Sequence, residues 1–292
     1  MSLLTYKEFI GKELTDEELA CNGSTGKALT DKELIWIGAQ QSEPIVVIEP
    51  LEQALTNAVF LLTLANNEKI IFKRLNLSAR NESDRRREFK VDQLAIFVGL
   101  TPKAIACCGS YKLQEYFTGK ELSRLSVNKE IINLLAVQLK KIHHLPALHA
   151  QPQSLTSTLT QLKKTITSAI DEQQFSVILK RAIILDNSSA KNVLCHGDLS
   201  LHNLLINNKQ QVMILDWEYA TLACPAYDLA SCICINRLDN LQQESLIASY
   251  YSLNKAQLTI SLSALRRECQ LYFSVFSYLN GLWMSCFAVN NK

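Results

Sequence analysis

Two carboxylates and one carboxamide lie within nineteen positions of each other and could carry out chemistry together. Asp198 follows Cys195-His196-Gly197, Asn203 comes five residues later, and Asp216 follows the next apolar run. A single carboxylate can accept a proton, while an Asn/Asp pair offers the oxygen ligands that Mg²⁺ prefers beside phosphate oxygens. These residue types in this order are typical of phosphoryl transfer.

The segments around this set predict a β-hairpin that would position it. Residues 204–206 and 212–215 are short apolar runs, and residues 207–211 form a polar turn between them. We predict that Ile206 pairs with Met213, which would place Asn203 directly opposite Asp216. Cross-strand neighbours have Cβ atoms about 5 Å apart, close enough to share a metal ion.

The spacing from His196 to Asn203 matches the kinase catalytic-loop signature H-R-D-L-x-x-x-N, with Gly197 at the position of the Arg. Asp-Trp-Glu-Tyr-Ala at 216–220 replaces Asp-Phe-Gly, and Pro-Ala-Tyr-Asp-Leu-Ala follows at 225–230. With these motifs the chain resembles the choline/ethanolamine kinase and aminoglycoside phosphotransferase superfamily. It is most similar to the bacterial choline kinase-like and thiamine kinase-like members.

The resemblance implies an α+β, two-lobed protein-kinase-like fold with an antiparallel β-sheet and one helix in the N-lobe and a mostly helical C-lobe. We therefore predict a helical N-terminal extension at 1–44, a nucleotide-binding N-lobe at 45–117, and a catalytic and substrate-binding C-lobe at 118–292. The extension contains a near-repeat, residues 11–19 and 26–34, and each copy has a Thr-x-x-Glu capping box.

In the N-lobe, strands are predicted at 45–48, 58–65, 69–75, 103–107 and 111–117, with a helix from Ser83 to about Val98. Lys73 is the candidate for the strand lysine that contacts the α- and β-phosphates, and its neighbour Arg74 is the alternative. Alternation along a strand cannot choose between them. Glu88 would be the ion-pair partner of Lys73.

The other nucleotide contacts follow from the resemblance. Residues 50–57 contain no glycine, so a glycine-rich loop is missing, and Thr56 or Asn57 could donate to phosphate instead. Backbone groups of Glu115, Tyr116 and Phe117 would meet the adenine edge. The implied cofactors are ATP and Mg²⁺.

Asp198 is the predicted base for the acceptor hydroxyl, Asn203 and Asp216 are the predicted Mg²⁺ ligands, and His196 and Asp228 are predicted to support the loop. Nine positions separate Asp216 from Pro225, too few for an activation loop and a protein-docking shelf, so the substrate should be small. Aromatic faces suit a cationic acceptor. The candidates for such contacts are Trp217, Tyr272 and Trp283, with a purely structural role as the alternative.

The expected activity is transfer of the γ-phosphate to an alcohol such as choline, ethanolamine or thiamine. One alternative is an aminoglycoside phosphotransferase, which needs carboxylates near a polycationic substrate, and Glu268 is the only one after Glu244. A nucleotide-binding pseudokinase is the other.

Bulk composition limits the possible partners and the compartment. A formal net charge of +2 gives no reason to expect a nucleic acid partner. Nine cysteines in apolar surroundings indicate reduced thiols, and we expect a cytoplasmic protein. The uncharged segment 269–291 has polar residues at helical spacing, so we expect a buried C-terminal helix and no membrane partner.

Overall fold

A computed structural model describes residues 28–51, 57–75, 82–166, 170–188, 190 and 192–290. The chain divides into two compact units. The first contains Met1–Arg86 and Thr101–Thr118, and the second contains Arg87–Leu100 and Gly119–Lys292. Each unit is described by itself. The three-part functional division predicted above stays a prediction.

The first unit is built on a five-stranded antiparallel sheet with the strand order β1-β2-β3-β5-β4. A helix, α1 (Asp31–Gly38), precedes the sheet. The strands are β1 (Ile45–Leu51), β2 (Ala58–Leu64), β3 (Lys69–Arg74), β4 (Ala104–Cys107) and β5 (Tyr111–Glu115). All five predicted strands are confirmed, with ends shifted by one to three residues.

Local chemistry explains the first elements. The predicted capping box of the second repeat copy is present, since Thr30 and Glu33 exchange side-chain-to-backbone hydrogen bonds at the start of α1. The corresponding pair Thr15 and Glu18 lies outside the described residues. Asn67 has a φ of 66° in the turn between β2 and β3, a left-handed conformation that Asn tolerates.

The helix predicted between β3 and β4 is α2 (Glu82–Phe97). The helix ends at Phe97, and Gly99 in the turn that follows has a φ of 71°. The Leu100 amide then donates to the Ala95 carbonyl at 2.9 Å, which is the closing bond of a Schellman motif.

The second unit is mostly helical, as predicted. Besides the part of α2 from Arg87 onward, its helices are α3 (Lys129–His143), α4 (Leu155–Thr165), α5 (Glu172–Ser188), α6 (Pro225–Ile235), α7 (Asn240–Asn254) and α8 (Leu262–Asn290). Two small sheets lie among them, one ordered β6-β8-β9 and the other a β7-β10 pair. Their strands are β6 (Lys120–Glu121), β7 (Val193–Cys195), β8 (Leu204–Ile206), β9 (Val212–Ile214) and β10 (Thr221–Ala223).

The C-terminal helix α8 has one buried face. Cys269, Tyr272, Val275 and Leu279 are buried at intervals of three or four residues, whereas Leu271 is exposed. Side chains are described only as far as Leu282. Across the described part of the chain, no helix is both long enough and apolar enough to span a bilayer.

Candidate active site

The loop between β7 and β8 holds Asp198 against Asn203. The Asn203 amide nitrogen Nδ2 donates to the Asp198 backbone carbonyl at 2.9 Å and to its carboxylate oxygen Oδ2 at 3.0 Å. A short 3₁₀ turn, Leu201–Asn203, provides the geometry that brings the two side chains together. Because both acceptors require the nitrogen end of the amide, the orientation of Asn203 is fixed and its Oδ1 oxygen is left for another partner.

The hairpin exists, but its predicted register is wrong by one residue. Leu204 pairs with Ile214 and Ile206 pairs with Val212. The Leu215 amide donates to the Asn203 carbonyl at 2.8 Å, so Leu215 and not Asp216 lies opposite Asn203.

The turn explains the shift. The Asn207 side chain accepts from the amides of Lys209 and Gln211, and Gln210 adopts a φ of 60°. The turn therefore closes over five residues, whereas the predicted pairing would need six. Asp216 immediately follows the paired segment with a φ of 56°, which changes the chain direction at the end of the hairpin.

Asp198 lies in an electrostatically unfavourable place for a carboxylate. Burial raises its pKa, the hydrogen bond from Asn203 opposes this, and the nearby carboxylates of Asp216, Glu218 and Asp228 raise it further, to about 7. Glu218 was not singled out from the sequence, although it follows Asp216 by two residues. A cluster of negative charge in a partly buried site favours binding of a cation.

The donor set fits Mg²⁺. The carboxylate of Asp216 and the Oδ1 carboxamide oxygen of Asn203 are hard oxygen ligands of the type that Mg²⁺ takes from proteins, one or two at a time beside phosphate oxygens. The hydrogen bonds from Asn203 to Asp198 also fix which atom of the carboxamide is available. These two residues would hold the ion.

Asp228, in the first turn of α6, braces the loop from below. Its two carboxylate oxygens accept the amides of His196 and Gly197, each at 2.9 Å. Ser231 adds a bond from its hydroxyl to the Gly197 carbonyl at 2.8 Å. Burial raises the pKa of the Asp228 carboxyl. The hydrogen bond and the charge interaction with His143 are the largest of the effects that lower it. Together the lowering effects outweigh burial, and the pKa lies below its usual value.

His196 is a neutral structural residue in this arrangement. Burial lowers its pKa, against the raising effect of Asp228 and of the Leu215 carbonyl. Its Nδ1 accepts from the Asp198 amide at 3.3 Å, and its Nε2 lies 3.0 Å from the Leu215 carbonyl oxygen. The ring therefore connects the loop to the end of the hairpin.

Gly197 is required by its surroundings. Its φ is +78°, and a Cβ atom at this position would lie 2.5 Å from the Tyr219 carbonyl oxygen. Any side chain here would need the loop and the 217–219 turn to move apart.

Several supporting residues were missed in the sequence. The His143 Nε2 atom lies 3.1 Å from Asp228 Oδ2, and its Nδ1 atom lies 2.7 Å from the Tyr250 hydroxyl. Asn236 accepts from the Leu201 amide at 2.8 Å and donates to the Leu199 carbonyl at 3.0 Å. His143 is the last residue of α3, and 85 positions separate it from Asp228, so no local sequence pattern indicates this contact.

His143, Asp228 and Cys195 also place potential metal-ligand atoms within 4.8 Å of one another. Both oxygens of Asp228 are already used by backbone amides and by His143. Burial, with the charge of Asp228, raises the pKa of the Cys195 thiol. We therefore interpret His143 and Asp228 as part of a hydrogen-bond network, with Cys195 as a buried neighbour, and not as a metal site.

In the first unit, the structure separates Lys73 from Arg74. Arg74 is engaged by Glu33, with its Nη2 atom 2.7 Å from the Glu33 Oε2 atom. Lys73 points to the opposite face of the sheet and is buried. This arrangement favours Lys73 over Arg74 as the phosphate-contacting residue. Glu88 lies on α2 in the second unit, and its pairing with Lys73 stays a prediction.

The remaining nucleotide candidates are at the ends of strands. The amides of Glu115 and Tyr116 donate to the carbonyls of Lys103 and Lys69, at 2.9 and 3.3 Å. Their predicted contact with adenine is thereby restricted to their carbonyl oxygens, while that of Phe117 stays as predicted. Asn57 precedes β2, and Thr56 lies outside the described residues.

Known proteins resemble the chain over most of its length. The family model for the phosphotransferase enzyme family, APH, matches residues 47–283. The chain belongs to the phosphotransferase enzyme family. The fold of this phosphotransferase is that of choline kinase LicA from Streptococcus pneumoniae, with a TM-score of 0.68, 18% identity, and 89% and 91% of the two chains covered.

Two further relatives are similar to different extents. Human ethanolamine kinase 1 is 29% identical over 173 residues, which cover 51% of this phosphotransferase and 37% of the human protein. The macrolide 2′-phosphotransferase MphH from Brachybacterium faecium has the same fold, with a TM-score of 0.58, 15% identity, and 89% and 92% of the chains covered.

The structure places two predicted substrate contacts of this phosphotransferase in the core. Trp217 is buried, with its ring centroid 4.9 Å from that of His196. Tyr272 is buried edge-on against Tyr227, at a centroid distance of 5.8 Å. Neither offers an exposed aromatic face, which favours the structural alternative. Trp283 lies on α8 beyond the last described side chain, so its contact stays a prediction.

Proposed function

We propose that this phosphotransferase is an ATP-dependent, Mg²⁺-requiring kinase that transfers the γ-phosphate to a hydroxyl of a small cationic alcohol such as choline, ethanolamine or thiamine. The observation that carries the proposal is the half-buried Asp198 carboxylate, held by Asn203 at the base of the hairpin that ends in Asp216. A choline kinase and an ethanolamine kinase are among the similar proteins, and LicA has been solved in complex with AMP.

Asp198 is the group that would orient the acceptor hydroxyl and accept its proton. Three interactions hold its backbone and carboxylate: those with Asn203 at two atoms and with His196 at the amide. The amides that Asp228 binds fix the preceding two residues. A base fixed in this way loses little freedom when the substrate binds, which is the main contribution of positioning to phosphoryl transfer.

Asn203 and Asp216 would hold Mg²⁺, and Lys73 would bind phosphate oxygens. When bound, the ion neutralises the negative charge of the phosphate oxygens. The two protein ligands differ in kind, since Asp216 is charged and Asn203 is neutral. Asn203 would therefore have two roles. It would bind the metal through Oδ1, and it holds Asp198 through Nδ2.

A small acceptor is supported by the segment after Asp216. Residues Trp217–Tyr219 form a 3₁₀ turn, and β10 then pairs directly with β7, with Thr221 opposite Cys195. The helix α6 begins two residues after β10, at Pro225. This leaves no extended segment on which a protein substrate could dock.

A cationic acceptor with one charge is favoured over a polycationic aminoglycoside. In the sequence after Glu244, Glu268 is the single carboxylate side chain. Glu244 already pairs with Arg266, with 2.8 Å between Oε2 and Nε. An aminoglycoside with several ammonium groups would need more carboxylates than this region supplies.

The test is a coupled ADP-release assay with Mg²⁺ and ATP over choline, ethanolamine, thiamine and kanamycin. We expect turnover with at least one of the first three, and formation of a phosphate ester detectable by ³¹P NMR. Asp198→Asn is the matched inactive control. Phosphorylation of kanamycin alone would support the aminoglycoside alternative, and nucleotide binding without any transfer would support the pseudokinase alternative.

A further inference from the structure

One carboxylate in the first unit does two jobs. Glu33 is buried with 2% exposure. It accepts from the Thr30 amide at 2.8 Å and from the Thr30 hydroxyl at 3.0 Å, which closes the N-terminus of α1. The same carboxylate binds the guanidinium of Arg74 through both Nε and Nη2. The start of α1 and the end of β3 are thus joined through a single side chain.

Arg74 is held on the face of the sheet that α1 covers. Its Nη2 atom also donates to the Ala28 carbonyl at 3.0 Å, and its guanidinium lies 5.6 Å from the centroid of the Phe60 ring. Trp36 of α1 packs against Phe72, with ring centroids 6.1 Å apart. The bidentate geometry fixes both the position and the direction of the Arg74 side chain.

Lys73 immediately precedes Arg74 and points to the other face of the same strand. We propose that Glu33 is a positioning residue, which fixes the backbone of β3 through Arg74 and so sets where Lys73 meets the nucleotide phosphates. The proposal rests on the proposed function, because that function gives Lys73 its contact with phosphate. It assigns a role to the helix preceding the sheet and to one repeat copy.

The charges support this arrangement. Burial raises the pKa of Glu33, but the hydrogen bonds from Arg74 and Thr30 outweigh it, and its pKa is lowered. Glu33 is therefore ionised at neutral pH and balances the charge of Arg74. Arg74 is thereby kept on the face of the sheet that α1 covers. Of the two adjacent basic residues, Lys73 is the one that faces the opposite side.

The two repeat copies differ in sequence at the positions by which α1 docks on the sheet. An offset of fifteen residues aligns Glu18 with Glu33, but it aligns Cys21 with Trp36 and Asn22 with Ile37. Ile37 is fully buried in the core of the first unit. The sequence of the first copy keeps the Thr-x-x-Glu pattern but has neither Trp nor Ile at the aligned positions.

The experiment compares the full-length wild type with Glu33→Gln, Arg74→Gln and their double mutant. Asp31→Asn is the matched control, because it removes the same charge from an exposed position of the same helix. Two quantities are measured at neutral pH: hydrogen exchange of the amides at 69–74, and the dissociation constant of ADP with Mg²⁺. Circular dichroism checks that each variant is folded.

In Glu33→Gln we expect faster exchange along β3 and weaker ADP binding by roughly tenfold, the factor that corresponds to 1.4 kcal/mol. The acceptor KM should stay at the wild-type value. Both single changes remove the same contact. The double mutant should therefore bind ADP no more weakly than the single mutant with the lower ADP affinity. Asp31→Asn should match the wild type in both measurements.

Unchanged ADP affinity in folded Glu33→Gln would overturn the proposal, even if exchange increased, since the contact would then serve stability alone. Equal effects in Asp31→Asn would also overturn it. A wild type that binds ADP but phosphorylates no acceptor would contradict the proposed function while leaving this comparison valid. A wild type that does not bind ADP would contradict both.

Discussion

The amide nitrogen of Asn203 bonds two atoms of Asp198, the backbone carbonyl at 2.9 Å and the carboxylate at 3.0 Å. A proposed metal ligand and a proposed base are thereby held in a fixed relation to each other. Loss of the Asp198 carboxylate should therefore affect proton transfer, whereas loss of the Asn203 side chain should affect both metal binding and the position of Asp198.

Replacing Asp198 by Asn should leave nucleotide binding nearly intact while phosphoryl transfer falls by about 10²-fold or more, the lower range of general-base contributions. A carboxamide can keep the bond from Asn203 but cannot accept the proton of the acceptor. Single-turnover kinetics with saturating ATP measure the loss, and ADP titration provides the control. Wild-type turnover in this variant would exclude Asp198 as the base.

Removing Asp216 should weaken Mg²⁺-dependent nucleotide binding more than removing Asn203. A carboxylate attracts a divalent cation more strongly than a carboxamide does. Mg²⁺ is titrated into Asp216→Ala and Asn203→Ala in the presence of ADP. ADP binding, monitored by a fluorescent ADP analogue or by calorimetry, ranks the two variants. The opposite order would show that Asn203 is the principal ligand.

Two glycines with similar φ values allow the cost of backbone strain to be distinguished from the cost of a steric clash. Gly99 and Gly197 have φ values of +71° and +78°, but a Cβ meets nothing within 4 Å at Gly99 and lies 2.5 Å from the Tyr219 carbonyl at Gly197. Gly99→Ala should cost about 1–2 kcal/mol of unfolding free energy from the left-handed backbone. Gly197→Ala should cost more and also lower kcat. Urea denaturation compares them, and equal costs would mean that the loop yields freely.

The Glu33–Arg74 pair predicts a dependence of stability on pH. Because the pKa of folded Glu33 is lowered from 4.5, its contribution is fully present above pH 4.5 and is lost as the pH falls through the folded value. The difference in unfolding free energy between wild type and Glu33→Gln should thus shrink below pH 4.5. Thermal unfolding between pH 7 and 3 measures it. A difference that persists undiminished at pH 3 would contradict the assignment.

Tyr250 should influence the rate without contacting substrate. Its hydroxyl lies 2.7 Å from His143 Nδ1, and His143 in turn bonds Asp228. Tyr250→Phe should cost about 0.5–1.5 kcal/mol of stability, the usual contribution of one hydrogen bond. We expect kcat to fall while both KM values stay near wild type. A change confined to KM would place Tyr250 in a binding role.

The set Asp198, Asn203 and Asp216 was accessible from the sequence because the residues are near one another along the chain and a hairpin joins them. The register was not accessible, since it depends on the hydrogen bonds that the Asn207 side chain accepts from the amides of Lys209 and Gln211 in the turn. The link from Tyr250 to His143 was not accessible either, because 107 residues separate them and only the packing of α3 against α7 brings them together.

The aromatic candidates show a different limit. Tyr272 was a candidate for contact with the acceptor, and it lies on the buried face of α8. Spacing alone cannot tell a face that lines a ligand site from one that packs on a neighbouring helix. For Tyr272 the neighbour is Tyr227 of α6, which no periodicity in α8 could reveal.

The direct pairing of β10 with β7 has a consequence for control of the enzyme. Protein kinases can be switched by phosphate added to a mobile segment at this place, which Arg side chains then order. Here the same stretch is short and already built into a sheet. Modification of that stretch therefore has nothing to order. We therefore do not expect phosphorylation of this stretch to switch the enzyme in the way it switches protein kinases.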